Sequence, residues 1–262
     1  MSLDERNETI MMKRQRRQHE IVALLAEGHF RGIGDLAESL SVSEETIRRE
    51  LRVLEGSGAV VRAHGAVRLA KVETEGSFAT RLQRHAEAKQ RIASVVAELV
   101  ADGQTLYIDA STTGHYVARA LRDHQRLTIV TNAVGVAAEL GGRNDNRIML
   151  AGGELDYEYR ACFDATARDY LASFTPSLAI LSVESVNLDH GFADYHVGEA
   201  AVCRMMIARS RRTLIAGGPE QVRSPRARVQ VAPLDGVDML VTDAVLSPDY
   251  AAALAAVEVV VA

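Results

Sequence analysis

Ser43-Glu44-Glu45-Thr46-Ile47-Arg48-Arg49-Glu50-Leu51-Arg52-Val53-Leu54 holds a helix start and a helical period in one short run. Ser43 is a residue type that caps helix N-termini, and Glu44 and Glu45 fall in the first turn, where the helix dipole favours anions. Ile47, Leu51 and Leu54 recur on one helical face, and Arg48, Arg49 and Arg52 fall largely off it. An apolar face that packs beside a basic face left outside fits an ordinary solvated helix. It equally fits a helix that probes phosphates and base edges.

The neighbouring segments decide between the two. Asp35-Leu36-Ala37-Glu38-Ser39-Leu40 reads as a short helix capped by Asp35, and Ser41-Val42 is a tight turn into Ser43, which makes a helix-turn-helix. His19 to Glu27, with Ile21, Leu24 and Leu25 on one stripe and a stop at Gly28, supplies a third helix. Gly56 and Gly58 then break the pattern. Val60-Val61-Arg62 and Ala66-Val67-Arg68-Leu69 flank a turn at Ala63-His64-Gly65, the pattern of a two-stranded wing able to reach the DNA backbone or a minor groove. The candidate DNA contacts are Arg16, Arg17, Ser43, Thr46, Arg48, Arg49, Arg52, Arg62 and His64.

The 262 residues suit about two domains, and the formal charge of −5 is not that of a globally basic nucleic-acid binder. Through Ala70, however, 11 basic residues balance 11 acidic ones, so the acidic excess lies downstream, where 19 face 24. Within the neutral head the basic residues cluster at Lys13-Arg14-Gln15-Arg16-Arg17 and Arg48-Arg49, and local patches steer DNA association more than net charge does. Only Cys162 and Cys203 are present, which is no disulfide framework, and no apolar leader or membrane span is visible. A reducing cytoplasm is the expected compartment.

From Thr105 the rhythm changes. Leu106-Tyr107-Ile108, Leu127-Thr128-Ile129-Val130, Ile148-Met149-Leu150, Leu178-Ala179-Ile180-Leu181, Thr213-Leu214-Ile215 and Met239-Leu240-Val241 alternate with helical stretches, and Val257-Glu258-Val259-Val260-Val261 adds a last strand. Strands apolar on both faces argue for a mainly parallel sheet covered by helices on both sides, an α/β domain. The expected division is a head over 1–70, a charged linker over 71–88 and an α/β domain over 89–262.

Polar and glycine residues fall just after the carboxyl ends of these strands: Asp109 with Ser111-Thr112-Thr113, Thr131-Asn132, Gly152-Gly153, Val183-Glu184-Ser185, Gly217-Gly218 and Thr242-Asp243. That edge is the ligand crevice of an open parallel sheet. Ser111, Thr112 and Thr113 precede a helical stretch, so hydroxyls and free N–H groups can hold a phosphate at a helix N-terminus. His190, Asp194, His196 and Glu199 form the one cluster that hints at metal or acid–base chemistry, with ligand hydrogen bonding or helix capping as the leading role. Nothing supplies a nucleophile with a positioned base, and no cofactor or metal is expected. The candidate effector contacts are Asp109, Ser111, Thr112, Thr113, Thr131, Asn132, Gly152, Gly153, Glu184, His196 and Glu199.

Arg16-Arg17-Gln18, the run from Val42 to Leu51 and Arg62-Ala63-His64-Gly65-Ala66 resemble the DeoR family of bacterial transcription regulators, and Arg81, Lys89, Asp109, Thr131-Asn132 and Gly152-Gly153 continue the likeness through the chain. The resemblance implies a sensor domain related in fold to ribose-5-phosphate isomerase, a phosphorylated sugar or similar small anion as effector, double-stranded operator DNA as partner and a homo-oligomer, at least a dimer. Repression is the expected sign of regulation. Three positions depart from the family pattern: Ala66 follows Gly65 in the wing, Ser111 replaces a glycine, and Gly217-Gly218-Pro219-Glu220-Gln221 lacks the usual lysine, for which Arg223, Arg226 or Arg228 are candidate substitutes. Two alternatives stand beside this reading. One is a DNA-binding regulator whose α/β domain only oligomerises, and the other is an isomerase- or deaminase-type enzyme.

Overall fold

The computed structural model describes residues 17–18, 20–21, 24–25, 31–56, 60–63, 66–69, 77–218, 221 and 229–262. They divide into two units, Met1–Gly76 and Ser77–Ala262.

In the first unit α1 (Ile33–Ser39) and α2 (Glu44–Gly56) pack through Leu36, Ala37, Ile47, Leu51 and Leu54. Ile21 and Leu25, from helical residues upstream, and Val60 and Val67 close the same core. The helix α1 begins earlier than the sequence predicts, because Ile33 packs against this core and draws the first turn with it. Gly32 is therefore the cap, and Asp35 instead takes the Gly32 N–H on its carboxylate at 3.0 Å, the reciprocal half of a capping box. The wing strands β2 (Val60–Ala63) and β3 (Ala66–Leu69) are antiparallel as expected, and a third strand, β1 (Arg31–Gly32), joins β3 with Arg31 opposite Val67. A two-residue strand carries no periodicity from which to read it. His64 and Gly65, at the wing turn, lie outside the described residues, as does Arg16.

In the second unit α3 (Phe78–Gln83) and α4 (Ala86–Glu98) come first. Most of the expected linker is thus structured from Ser77 onward. The Ser77 hydroxyl caps α3 by accepting the Thr80 N–H at 3.3 Å, and Phe78 and Arg81 are buried. The sheet follows with β4 (Thr105–Ile108), α5 (Thr112–Ala120), β5 (Thr128–Thr131), α6 (Val134–Leu140) and β6 (Arg147–Leu150). A small hairpin, β7 (Leu155–Asp156) with β8 (Ala161–Cys162), leads to α7 (Ala165–Ala172) and β9 (Leu178–Leu181). Then come β10 (Ser185–Asn187), β11 (Gly191–Asp194), α8 (Val197–Arg209), β12 (Thr213–Ala216), β13 (Val229–Ala232), β14 (Met239–Thr242), α9 (Pro248–Ala253) and β15 (Glu258–Val261).

Seven strands form one wholly parallel sheet in the order β15-β14-β12-β9-β4-β5-β6. Its central strands are buried on both faces, which is why they read as unbroken apolar runs, while the edges β6 and β15 keep exposed residues. The chain starts in the middle at β4, winds to one edge through β5 and β6, and returns to the other side of β4 at β9. The winding direction therefore reverses between β4 and β9, and that is where a doubly wound sheet opens a crevice. A separate antiparallel sheet, β10-β11-β13, follows β9 in the chain; its strands are short and the sequence does not reveal them. No helix among the described residues is long and apolar enough to cross a membrane.

Candidate functional site: the basic helix and the sensor crevice

On α2 the Ser43 hydroxyl accepts the Thr46 N–H at 3.3 Å and pairs with the Thr46 hydroxyl at 2.9 Å, so both are used in starting the helix. Arg48, Arg49 and Arg52 are exposed. Arg48 reaches back one turn to Glu44 at 2.7 Å and Arg49 to Glu45 at 3.2 Å. Such exposed pairs contribute little, so exchanging the glutamates for phosphate oxygens costs little. Arg17 has a different surrounding. Its guanidinium donates to Glu50 at 2.9 Å, Gln18 donates to the other carboxylate oxygen at 2.8 Å, and Glu50 is buried in α2. Part of the Arg16-Arg17-Gln18 signature is thereby explained: a carboxylate taken out of water requires charged and polar partners, and these tie the upstream helix to α2. The side chain of Arg62 falls outside the described residues.

At the switch point of the sheet Asp109 leaves the end of β4 buried. It accepts the Ser111 hydroxyl at 2.6 Å and the Ser111 N–H at 3.1 Å on one oxygen, and the Ser182 N–H from the end of β9 at 2.6 Å on the other. The Ser111 hydroxyl in turn caps α5 by accepting the Gly114 N–H at 2.8 Å. The serine that replaces the family's glycine has φ of −68°, so glycine is not needed there, and its hydroxyl is turned in toward Asp109 and the helix. Glycine is needed at Gly114, where an added Cβ would stand 2.7 Å from the Asp109 carboxylate. Thr112 and Thr113 are buried in the first turn of α5, whose N–H groups have no partner within the helix. The Ser182 hydroxyl donates to Thr113 Oγ1 at 3.4 Å.

One strand along, Thr131 donates to the Ile108 carbonyl at 2.6 Å and accepts the Ala133 N–H at 3.1 Å, so it stitches β5 to β4. Asn132 donates to the Cys162 carbonyl at 3.0 Å, and its own carboxamide oxygen is buried without a hydrogen-bond partner among the described residues. Gly152 and Gly153 lie beyond the edge strand β6, two strands from β4 and the switch point in the strand order. Gly152 is open, whereas Gly153, at φ +139°, lies so near Asp164 that a Cβ would meet its carboxylate at 2.5 Å.

The cluster after β10 divides. His190 is exposed at a turn. Asp194 is buried and accepts the N–H groups of Tyr195 at 2.6 Å and His196 at 3.2 Å. His196 caps α8, its Nδ1 accepting the Glu199 N–H at 3.0 Å, and Glu199 is buried. Burial holds His196 below its ordinary value, Asp156 pulls the other way and Arg81 adds to the lowering. A neutral ring with its proton on Nε2 is what this cap requires. Among the described residues no group of three or more His, Cys, Asp or Glu side chains is arranged to hold a metal.

Three carboxyls here are strongly perturbed. Burial pushes Asp109 up to about 6 against the opposing bonds from Ser111 and Ser182. Asp194 rises to about 6, also by burial, against the His196 and Tyr195 N–H bonds. Glu184 rises to about 7 through burial and then through Asp194, with Arg81, Lys89 and Arg84 opposing. Glu184 thus keeps its proton in the folded unit at pH values where the unfolded chain has released it, so its contribution to stability falls as pH rises from 4.5 to about 7. Glu184→Gln cannot ionise. Relative to the wild-type protein it should gain stability steadily across that window and hold the gain above it. Urea melts at pH 5 and pH 8 test this, and a difference independent of pH would refute the shared buried charge.

Several participants escaped the sequence reading. Ser182 follows β9 directly and obeys the strand-end rule already applied to its neighbours. Gln221 is buried; its oxygen accepts the Gly218 N–H at 2.5 Å and its nitrogen donates to Ser182 at 3.5 Å, so a neutral amide stands in the segment that lacks the family's lysine. Its place five residues beyond β12 carries no local signal. Arg223, Arg226 and Arg228 lie outside the described residues. Arg81 and Lys89 were visible only as family landmarks. Both are buried, and Lys89 donates to the Arg81 carbonyl at 2.6 Å.

Residues 84–244 match the family described as the DeoR C terminal sensor domain, and residues 17–73 match the DeoR-like helix-turn-helix domain. The glycerol-3-phosphate regulon repressor of Escherichia coli is 32% identical over 233 residues, covering 89% of this chain and 92% of that protein. The transcriptional repressor CsqR of E. coli is 31% identical, covering 87% of each, and the transcriptional repressor AccR of Agrobacterium fabrum is 32% identical, covering 87% and 89%. Among solved structures, ribose 5 phosphate isomerase A from Neisseria gonorrhoeae is similar over 52% of this chain and 53% of that one, at a TM-score of 0.39 and 14% identity, too slight a likeness to carry an argument. With a basic helix-turn-helix at one end, a crevice at the switch point of a parallel sheet at the other, and both family domains matched in order, the chain belongs to the DeoR family and is a DNA-binding transcription regulator, not an enzyme.

Proposed function

We propose that the protein is a cytoplasmic repressor that binds a pseudo-twofold operator as a homo-oligomer, at least a dimer, and that a phosphorylated sugar, polyol or similar small anion bound in the sensor crevice modulates that binding. Each head would read one half-site, which is why a twofold assembly fits. Arg48, Arg49 and Arg52, with Ser43 and Thr46, form the base- and phosphate-contacting face; Arg16, Arg62 and His64 complete the DNA contacts from the flanking segment and wing. Arg17, held by Glu50 through one guanidinium nitrogen, adds to them only through its remaining N–H groups. Support for the effector comes from one observation above all. The first turn of α5, the buried cations Arg81 and Lys89 and the Asn132 oxygen, which has no hydrogen-bond partner among the described residues, belong to the elements around the sheet's carboxyl edge, where an anion with hydroxyl groups finds both donors and acceptors. The E. coli relative is by name the repressor of the glycerol-3-phosphate regulon, and glycerol 3-phosphate is a phosphorylated polyol.

The proposed effector contacts are Asp109, Ser111, Thr112, Thr113, Asn132, Glu184, His196 and Glu199, with Thr131 and Gly152-Gly153 shaping the loops beside them. A panel of sugar and polyol phosphates should contain a member that raises the sensor's melting point, since a ligand at a hundred times its Kd adds about 2.7 kcal/mol. Thr112→Val combined with Thr113→Val should lose that shift and the effector response while operator binding without ligand persists. A panel with no thermal effect, on protein that still binds operator, would favour the alternative of a domain that only oligomerises.

A further inference from the structure

We propose that Tyr159 is the positioning residue that reports occupancy of the sensor crevice to α3, by holding Arg81 and His196 against one ring. The proposal rests on the effector reading above. The Arg81 guanidinium lies 4.5 Å from the centre of the Tyr159 ring, and the His196 imidazole lies 4.7 Å from it at a tilt of 32°. His196 is also the cap of α8, so the ring touches the residue that sets the first turn carrying buried Glu199. On the other side of the contact Arg81 belongs to α3, the first helix after the unit boundary at Gly76, and is therefore joined to the head through the shortest covalent path in the sensor.

α3 has six residues. A helix that short does not hold itself, and its position is set by what it touches. α3 leans on α5 through the Phe78–His115 ring contact and the Tyr116 hydroxyl, which donates to the Leu82 carbonyl at 3.2 Å, and it is also held by the turn between β7 and β8. The Phe78 N–H donates to the Glu158 carbonyl at 3.2 Å, the Arg81 guanidinium donates to the same carbonyl at 3.4 Å, and Arg81 stacks on the next residue, Tyr159. The same turn is tied to the crevice from behind, because Asn132 and Cys162 exchange two hydrogen bonds, at 3.0 and 3.2 Å.

Arg81 is a buried cation whose charge is felt by Glu184, Asp194 and His196 together. An anion entering the crevice draws on the same guanidinium that now serves the Tyr159 ring and the Glu158 carbonyl. The competition changes what holds α3, and a ligand that alters those contacts has the differential affinity for two states that allosteric coupling requires. Tyr159 itself is half-buried and need not touch the ligand.

The test uses the full chain, a duplex selected from random sequence for tight binding, and three probes: glycerol 3-phosphate, ribose 5-phosphate and inorganic phosphate. Calorimetry reads probe binding and anisotropy reads operator affinity with and without probe. With a probe that binds, wild-type operator affinity should change by at least about fivefold, the lower end of ordinary allosteric coupling, while Tyr159→Leu should bind that probe and, without it, the operator within about twofold of wild type yet respond less than about twofold. Tyr159→Phe keeps the ring and should restore the response. Arg81→Lys keeps the charge but not the flat stacking surface. Because Arg81 also faces the anion, the response of this variant is read at the probe concentration that calorimetry shows to saturate it. There it should be lost as in Tyr159→Leu, which decides the matter if Tyr159→Leu melts early. A full response in Tyr159→Leu or in Arg81→Lys overturns the relay, as does a wild-type protein that binds a probe without any change in operator affinity. If no probe binds wild-type protein at all, the effector reading fails and the relay fails with it.

Discussion

Leu51→Ala is expected to unfold the head and abolish operator binding while the sensor keeps its own melting transition. Leu51 is fully buried, with Leu36, Ile47 and Leu54 in a core that belongs to the head alone. Truncating a buried leucine costs about 2–5 kcal/mol, the transfer free energy of the lost methyl groups plus the cavity they leave. A unit of this size buries too little surface to have much more than that in total. The sensor has a separate and far larger cluster of buried residues, none of which includes Leu51. Calorimetry and limited proteolysis of the full chain distinguish the outcomes: the expected result is rapid cleavage of the head beside an unchanged sensor transition. Operator affinity within error of the wild-type value would mean that the head's packing is not as described.

Arg48→Ala and Arg49→Ala should act in the opposite way, with stability kept and affinity lost. Both side chains are well exposed, at 44% and 71%, and their partners Glu44 and Glu45 are exposed as well. Breaking these pairs changes folding by no more than about 1 kcal/mol. If an arginine meets a base edge, its loss costs about 1–3 kcal/mol of operator binding and relaxes the preference at one position; if it meets a phosphate, the loss is uniform across sequences and the salt dependence shrinks by about one ion. Binding measured at several salt concentrations on wild-type and single-base-changed duplexes separates the two. Undiminished affinity in both variants would remove α2 from the DNA interface. The same helix contributes the buried Glu50, so one amphipathic segment carries the head's core on one face and its DNA chemistry on the other.

What could be read from the chain alone follows the range of the forces involved. Helix α2 was legible because its cap, its apolar stripe and its arginines all lie within four turns of backbone, and the strands of the parallel sheet were legible because burial on both faces leaves apolar runs. The start of α1 was not, since Ile33 joins the helix through a contact with the head core that no local rule contains. Ser111 illustrates the same limit: as a letter it is a side chain added where a glycine is usual, and only the fold turns its hydroxyl onto Asp109 and the Gly114 N–H.

By itself the sequence determined that there are two domains, that one presents a basic helix beside a wing, that the other is a parallel sheet with helices, and that polar loops follow its strands. These are consequences of local periodicity, turn chemistry and charge placement, which act over a few residues. Tertiary structure alone decided the strand order that puts the switch point between β4 and β9, the inward bond of Arg17 to Glu50, the meeting of Ser182 with Asp109 and Gln221, and the meeting of Arg81 and His196 on Tyr159. Each of those joins residues from separate elements, and which elements become neighbours is settled by how apolar faces bury against one another rather than by any pattern along the chain.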